Sequence, residues 1–264
     1  PGWGPSYPGA GIFRSADAGN TWLPTGAGPG NRCSKIIVHP SNPDIVYVAS
    51  NSGLFQTTNG GTNWVQILTG HICDVVMNQS SPNIIYAARW NDRVYKSINS
   101  GATFTDTSAG IPIHIFGVTF WIGKLPTGTN AEWIKLAIGV NGANGGNFLL
   151  AKMGLNSGSV YKSTNGGTTW ALQNGTHGAA SYNEWTNLVA VNPVNENIIF
   201  AGAVGMERST NGGTSFSGTA GTHSDHHVLV FDPNNANTCY VATDGGVYKS
   251  TNGGANWVLK SYRL

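Results

Sequence analysis

The feature that most constrains this chain is an eight-residue phrase that returns six times. It runs Ser/Thr-x-Asp/Asn-x-Gly-x-x-Trp/Phe, and its copies begin at Ser15, Thr57, Ser97, Ser163, Ser209 and Ser250. The closing aromatics are Trp22, Trp64, Phe104, Trp170, Phe216 and Trp257, so the steps between them are 42, 40, 66, 46 and 41 residues. A recurring step of about 40–45 residues marks a repeat architecture in which each repeat is one small supersecondary unit. In the last copy Val247 and Tyr248 come before the phrase, and Trp257, Val258 and Leu259 close it. Such β-branched and aromatic residues suit strands. Between them Gly supplies positive φ at no steric cost, and the Asn side chain can bond the turn backbone. Each copy is expected to be a β-hairpin with a self-bonded tip and an aromatic packed under it.

The phrase resembles the Asp-box, also called the BNR repeat, and the resemblance spans nearly the whole chain. That family includes sialidases, two-propeller xyloglucanases, sortilin ectodomains and many bacterial surface propellers. The resemblance implies an all-β fold, a β-propeller of four-stranded blades, with about six blades visible and residues 1–264 forming a single propeller. Only the first copy keeps the acid, Asp17; the others carry Asn59, Asn99, Asn165, Asn211 and Asn252. Asn keeps a carbonyl acceptor and loses the charge. A calcium loop needs several carboxylates, so no metal and no other cofactor is expected.

Taken in order, residues 11–23 form one hairpin whose two inner strands should precede it, and ten residues are too few to hold them. The second blade follows as strands near Lys35–His39, Ile45–Ala49, Leu54–Thr57 and Trp64–Leu68, with Pro40 and Pro43 in the turn between the first two. The third repeats it from Asp74 to Phe104. The fourth carries the long step; its first strand is placed near Phe116–Trp121 and its second near Trp133–Ile138, with surplus loops at residues 123–130 and 141–158. The fifth runs from Asn187 to Phe216 and the sixth from Val228 to Trp257. Five full blades and an incomplete first one leave a ring unclosed, and a propeller avoids exposed edges by closing. The count implies a fragment of a larger propeller or a second chain or segment that completes the ring. The alternative is a six-bladed ring with a defective first blade.

Composition narrows the function. Charged residues are 10% of the chain and the net charge is +2, with no basic run, so no nucleic-acid partner is expected. No apolar run reaches the ~18 residues of a membrane span, and no signal peptide is visible. Low charge and the family resemblance point to an extracellular or cell-surface protein. Cys33, Cys73 and Cys239 lack metal-ligand spacing. Cys33 and Cys73 fall at matching places in neighbouring blades, where a disulfide or two buried thiols would both fit. Asn78-Gln-Ser80 and Asn174-Gly-Thr176 match the glycosylation pattern.

Chemistry is expected on the face opposite the phrases, by analogy with other propellers. Counting along the repeat puts His71, His114, His177, His223, His226 and His227 in or just after loops that lead into first strands. Asp74, Glu184, Trp185 and Asp225 share that placement; Trp90, Asp92, Arg93 and Asp244 fall in second-to-third-strand loops of the same face. The densest group is Thr222-His223-Ser-Asp225-His226-His227 with Asp244-Gly245-Gly246. Alternation would put His223, Asp225 and His227 on one side of an extended segment and His226 on the other. Imidazole and carboxylate suit proton transfer near neutral pH. They also suit a transition metal, or simply bonds to loop backbone. The segment resembles a His-x-Asp-x-His, then Asp-Gly-Gly, pattern of large bacterial surface propellers.

Two readings result. In the first, His223, His226, His227, Trp90, Asp92, Arg93 and Trp185 bind glycan, as of a polysaccharide or glycoprotein, or another cell-surface partner. In the second, Asp244 and Asp225 are the catalytic carboxylates of a xyloglucanase-like glycosidase, which needs two such groups across the sugar. Tyr182 and Trp121 are further candidates for stacking on sugar rings. A third reading makes the chain a scaffold unit of a larger assembly. The arginine triad and Arg-Ile-Pro start of sialidases are not matched by Phe13-Arg14-Ser15.

Overall fold

The six phrases fold into six near-identical turns. At Ser209 the buried hydroxyl accepts the Asn211 and Gly213 N–H groups at 3.2 and 2.9 Å and donates to Asn211 Oδ1 at 2.9 Å. The same Oδ1 accepts the Ser215 N–H at 2.9 Å. Equivalent bonds recur at Ser15, Thr57, Ser97, Ser163 and Ser250. Two side chains thus satisfy three backbone donors that a tight turn would otherwise leave without partners.

The structure is a computed structural model that describes residues 9–26, 28–29, 32–115, 118–127, 133–139, 145–154, 158–173 and 186–261. Every phrase joins the last two strands of a sheet. β1 (Phe13–Arg14) and β2 (Leu23–Pro24) form a two-stranded sheet. β3 (Cys33–His39), β4 (Asn42–Ser50), β5 (Gly53–Thr57) and β6 (Val65–Thr69) form a four-stranded sheet. The next comprises β7 (Ile72–Met77), β8 (Ile85–Arg89), β9 (Val94–Ser97) and β10 (Thr105–Asp106). A separate hairpin follows, β11 (Ile111–Ile115) with β12 (Val118–Ile122). β13 (Lys135–Ile138), β14 (Leu149–Lys152), β15 (Val160–Ser163) and β16 (Ala171–Leu172) make the third four-stranded sheet. β17 (Leu188–Val191), β18 (Ile199–Gly202), β19 (Met206–Ser209) and β20 (Ser217–Gly218) make the fourth. β21 (His226–Asp232), β22 (Asn235–Thr243), β23 (Gly246–Ser250) and β24 (Val258–Ser261) make the fifth. Each is a meander in chain order, so the fold is an all-β propeller, with five four-stranded blades among the described residues.

Two expectations about the strands are corrected. The segment placed as the inner strand of the long repeat belongs to the β11–β12 hairpin, an insertion that stands ahead of the blade. The inner strand is β13, and β14, which falls in the supposed loop, is its fully buried neighbour. Pro43 lies within β4 rather than in a turn, beyond the register shift at Val38/His39, where the regular ladder has ended.

The chain divides into two compact units, residues 1–89 with 96–105, and residues 90–95 with 106–264. In the first, Tyr47, Ala49 and Leu54 of the β3–β6 blade pack with Val75, Met77, Ile85 and Ala87 of the next. In the second, Ala137, Leu150 and Val160 meet Val191, Ile199 and Ala201, while Leu188, Ala190 and Phe200 meet Leu229, Cys239 and Val241. Blades stack because successive residues of the inner strands point to opposite faces and both faces are apolar, as at the buried Val75 and Val76 of β7. Trp22 stays with its own turn, its Nε1 donating to the Gly19 carbonyl at 3.1 Å, whereas Trp257 and Trp170 reach beyond theirs. Trp257 lies edge-on to Phe200 of the preceding blade at 6.2 Å, and Trp170 Nε1 donates to the Thr107 carbonyl at 3.0 Å. All three cysteines are free thiols; Cys73 and Cys239 are buried and Cys33 is exposed.

Candidate functional site

The His-rich segment enters β21 through a β-bulge. His226 pairs with Thr243 and Val228 with Ala242, which leaves His227 as the extra residue. The same irregularity places Ser34 between Cys33 and Lys35, and Cys73 between Ile72 and Asp74. A bulge re-aims one side chain at a strand end, and here it separates two neighbouring histidines. His226 is 2% exposed. Its Nδ1 faces the carbonyls of Ala203 and Val204 at 3.3 and 3.2 Å, and its Nε2 faces the Thr222 hydroxyl at 3.0 Å. That arrangement fits a neutral ring with Nδ1 as donor, and burial pushes its pKa below the ordinary histidine value.

His227 is exposed, and its Nε2 meets Asp244 Oδ1 at 2.6 Å. Asp244 opens the turn between β22 and β23. The Thr243 hydroxyl shapes that turn, accepting the Gly245 N–H and donating to the Gly246 carbonyl, both at 3.2 Å. Both glycines are required by their neighbours. A Cβ at Gly245 would overlap the His223 ring, and one at Gly246, where φ is +123°, would strike the Ser261 carbonyl. His223 therefore sits against the turn that carries Asp244, its Nδ1 3.0 Å from the Ser224 carbonyl. Asp225 adopts φ 63° and its N–H donates to Val204, while its carboxylate receives the Ser224 hydroxyl at 3.3 Å. The structure thus gathers His223, His227 and Asp244 at one exposed place and turns His226 inward.

The second group expected from the sequence is tied up internally. Asp92 accepts from Arg93 Nε at 2.7 Å and from the Tyr95 hydroxyl at 2.8 Å. Arg93 also donates to Asp106 at 2.8 Å, and Asp106 accepts the Ser108 N–H at 2.7 Å. These paired carboxylates hold the Arg93 pKa above its ordinary value. Trp90, 40% exposed, presents an apolar surface beside this network in the chain. Asp74 is 1% exposed and accepts the Val75 N–H at 2.9 Å, with Lys35 3.7 Å away. Trp121 and His114 lie on the inserted hairpin, both exposed. Trp185, Glu184, Tyr182 and His177 lie outside the described residues. Among the described residues no three His, Cys, Asp or Glu side chains come together as a metal-holding group.

One polar group escaped the sequence reading. Lys152, at the end of β14, is 1% exposed; its Nζ donates to Asn187 Oδ1 at 2.9 Å, and Asn187 donates to the Trp133 carbonyl at 2.7 Å. Burial lowers its pKa to about 8, against an opposing influence from Glu207. The signal for it was the run Phe148-Leu-Leu-Ala-Lys, apolar enough for a central strand but set in Gly-rich sequence.

No protein-family model matches the sequence, and no curated protein matches it. Solved structures do match in fold. An ancestral GH74 enzyme superposes with a TM-score of 0.70 at 19% identity, over 96% of this chain and 36% of that one. YCF48 from Cyanidioschyzon merolae superposes with a TM-score of 0.57 at 16% identity, over 94% of this chain and 77% of that one. The shared fold is the β-propeller. This chain spans about a third of the length of the GH74 enzyme it matches.

Proposed function

We propose that this chain is an extracellular Asp-box propeller that binds the glycan of a polysaccharide or glycoprotein through His223, His227 and Asp244. The observation that carries the reading is the exposed His227–Asp244 pair at 2.6 Å, fixed by a bulge and a two-glycine turn with His223 against it. Its imidazoles and carboxylate offer donors and acceptors to sugar hydroxyls from a preorganised backbone. Trp90 supplies an exposed aromatic face of the kind on which sugars stack, and Trp185 is carried as a further contact. The fold shared with a GH74 enzyme supports a sugar polymer as the first ligand to test.

Among the described residues, the state of the carboxylates favours binding over hydrolysis. A glycosidase needs two free carboxyl groups facing each other across the bond. Asp92 is bonded on both oxygens, to Arg93 and Tyr95, and Asp225 is turned into a left-handed loop position beside Ser224. In this reading the six clips form an incomplete six-bladed set whose first member is a half-blade.

Affinity electrophoresis and calorimetry against xyloglucan and a panel of plant and microbial polysaccharides test the proposal. A ligand should emerge whose binding weakens at least about tenfold in His227→Ala and Asp244→Ala. Retention that is the same in wild type and both variants would refute the site. Release of reducing ends, lost in Asp244→Asn, would replace the binding reading with the hydrolytic one.

A further inference from the structure

Four of the six turns carry Asn-Gly at the third and fourth positions of the phrase: Asn59-Gly60, Asn165-Gly166, Asn211-Gly212 and Asn252-Gly253. Asn followed by Gly is the pair in which a side-chain amide is most easily lost, because no Cβ hinders the nitrogen that attacks it. All four asparagines are exposed. Ser100 stands where a glycine would follow Asn99, and the first turn already carries the acid, Asp17.

The closed turn withholds both reacting groups. Each glycine N–H is bonded to a carbonyl near the start of the second strand of its blade: Gly60 to Asp44 at 3.0 Å, Gly166 to Asn147 at 2.9 Å, Gly212 to Asn197 at 3.1 Å and Gly253 to Asn237 at 2.7 Å. Each asparagine Oδ1 accepts two bonds at 2.9 to 3.0 Å, from the hydroxyl that opens the phrase and from the N–H four residues on. These bonds fix the direction of the side-chain amide. The turns then differ in one bond. The Nδ2 groups of Asn165 and Asn211 donate to the hydroxyls of Thr169 and Ser215, both at 2.8 Å. The seventh residue of the other two phrases is Asn63 or Asn256, and among the described residues the Nδ2 of Asn59 and of Asn252 makes no such bond.

We infer that Asn59, Asn165, Asn211 and Asn252 are latent deamidation sites, kept as amides while their turns are closed and converted when a turn opens, with Asn59 and Asn252 the faster pair. On opening, the glycine nitrogen attacks the asparagine Cγ. The N–Cγ bond forms and the Cγ–Nδ2 bond breaks. The glycine proton passes through solvent to the departing amide, which leaves as ammonia. Water then opens the cyclic imide to aspartate or isoaspartate. Aspartate fits the turn again, since Asp17 Oδ1 accepts the Ser15 hydroxyl and the Thr21 N–H, both at 2.8 Å. Isoaspartate adds a methylene to the main chain inside the turn and does not refit. Each conversion removes one unit from a net charge of +2. None of these residues belongs to the proposed glycan site.

Peptide mapping by mass spectrometry, on the full chain held in mildly alkaline buffer, reads the amide lost at each site. The folded chain should keep Asn211 at least about tenfold longer than a synthetic peptide of residues 207–218 in the same buffer. Ser209→Ala should speed conversion at Asn211 at least about tenfold and leave the other three sites at the wild-type rate. Asn63→Thr supplies the hydroxyl present at Thr169 and should slow Asn59 about fivefold, whereas Thr169→Val should speed Asn165 by about as much. Equal rates in peptide and folded chain, or an Asn211 rate unmoved by Ser209→Ala, would overturn the inference. An Asn59 rate unmoved by Asn63→Thr would overturn the order of the sites. Wild-type chain in urea below its unfolding transition gives the same test without a substitution: all four rates should rise with urea, and flat rates would overturn the role of opening.

Discussion

Ser209→Ala removes one oxygen from the centre of a clip, and the structure sets what that costs. The Ser209 hydroxyl is fully buried and makes three bonds, accepting from Asn211 N–H and Gly213 N–H and donating to Asn211 Oδ1. The bond to Gly213 lies out of contact with water, so the orphaned donor costs about 1–3 kcal/mol. Asn211 N–H is only partly buried, and water can recover some of its loss, leaving about 0.5–1 kcal/mol. The expected destabilisation is therefore about 1.5–4 kcal/mol. Two controls come from the sequence itself. Ser209→Thr should cost less than about 1 kcal/mol, because Thr57 makes the same bonds from a site 2% exposed. Ser15→Ala should cost less than about 1 kcal/mol, because that clip is exposed throughout. Urea unfolding of the four proteins measures the global effect, and hydrogen exchange at the Gly213 amide detects local opening, which repeat folds permit. A loss below about 0.5 kcal/mol for Ser209→Ala, with Gly213 still protected, would refute the claim that the hydroxyl holds the turn.

Lys152 carries the alkaline prediction. Its folded pKa of about 8 lies below the ordinary 10.5, so the folded state binds fewer protons between those values and stability rises with pH across that window. The rise is on the order of 2–3 kcal/mol, and Lys152→Met should abolish it when urea midpoints are compared from pH 7.5 to 10.5. Cys239, pushed up to about 11, and Tyr86, pushed up to about 12, act in the opposite direction, so the difference between the two proteins is the quantity to read. Asp17 is held at about 2 by bonds from the Thr21 hydroxyl and N–H and from Ser15. Its contribution to the β1–β2 turn is present above the ordinary 3.8 and lost as pH falls through about 2, and its carboxyl carbon should titrate by NMR at the lower value. Gly246→Ala forces a Cβ into the Ser261 carbonyl at φ +123° and should destabilise by more than about 2 kcal/mol by thermal unfolding. Gly245→Ala meets the Cβ and ring of His223, so that residue must shift, and it should destabilise measurably but less than Gly246→Ala, whose φ is also unfavourable, in the same thermal unfolding.

The turns were legible because their chemistry is local. A hydroxyl, an amide or carboxylate two residues on, and glycines where φ is positive specify the clip without help from the rest of the chain. What lay between the clips was legible only where its length was regular. Residues 111–122 carry Ile-Pro-Ile-His-Ile and Val-Thr-Phe-Trp-Ile, two strand-like runs that pair with each other. Counting back from Phe104 to the next phrase therefore took β12 for an inner strand. Sequence alternation cannot distinguish a hairpin that pairs with itself from a strand awaiting a blade. Burial separates them, since Leu149, Leu150 and Ala151 of β14 are fully buried.

Part of the site was legible at finer scale. Period-two reasoning put His223, Asp225 and His227 on one side and His226 on the other, and the structure has His223 and His227 exposed, Asp225 half-buried and His226 buried, with His227 as the bulged residue. Neighbouring histidines of identical chemistry were thereby divided, one bonded through both nitrogens inside the protein and one facing water with Asp244. Asp92 and Arg93 were sequence neighbours of the right types, yet Tyr95 and Asp106 consume the groups that a ligand would need. The Asn-for-Asp replacement in five clips has a comparable logic. Asp17 accepts the Thr21 hydroxyl, whereas Asn99, Asn165 and Asn211 donate to Thr103, Thr169 and Ser215 at the same place. A hydroxyl serves either role, so the charge can be dropped without losing the bond. The turn then tells where a strand pair closes and is silent about the opposite ends of the strands, where a single bulged residue decides what faces solvent.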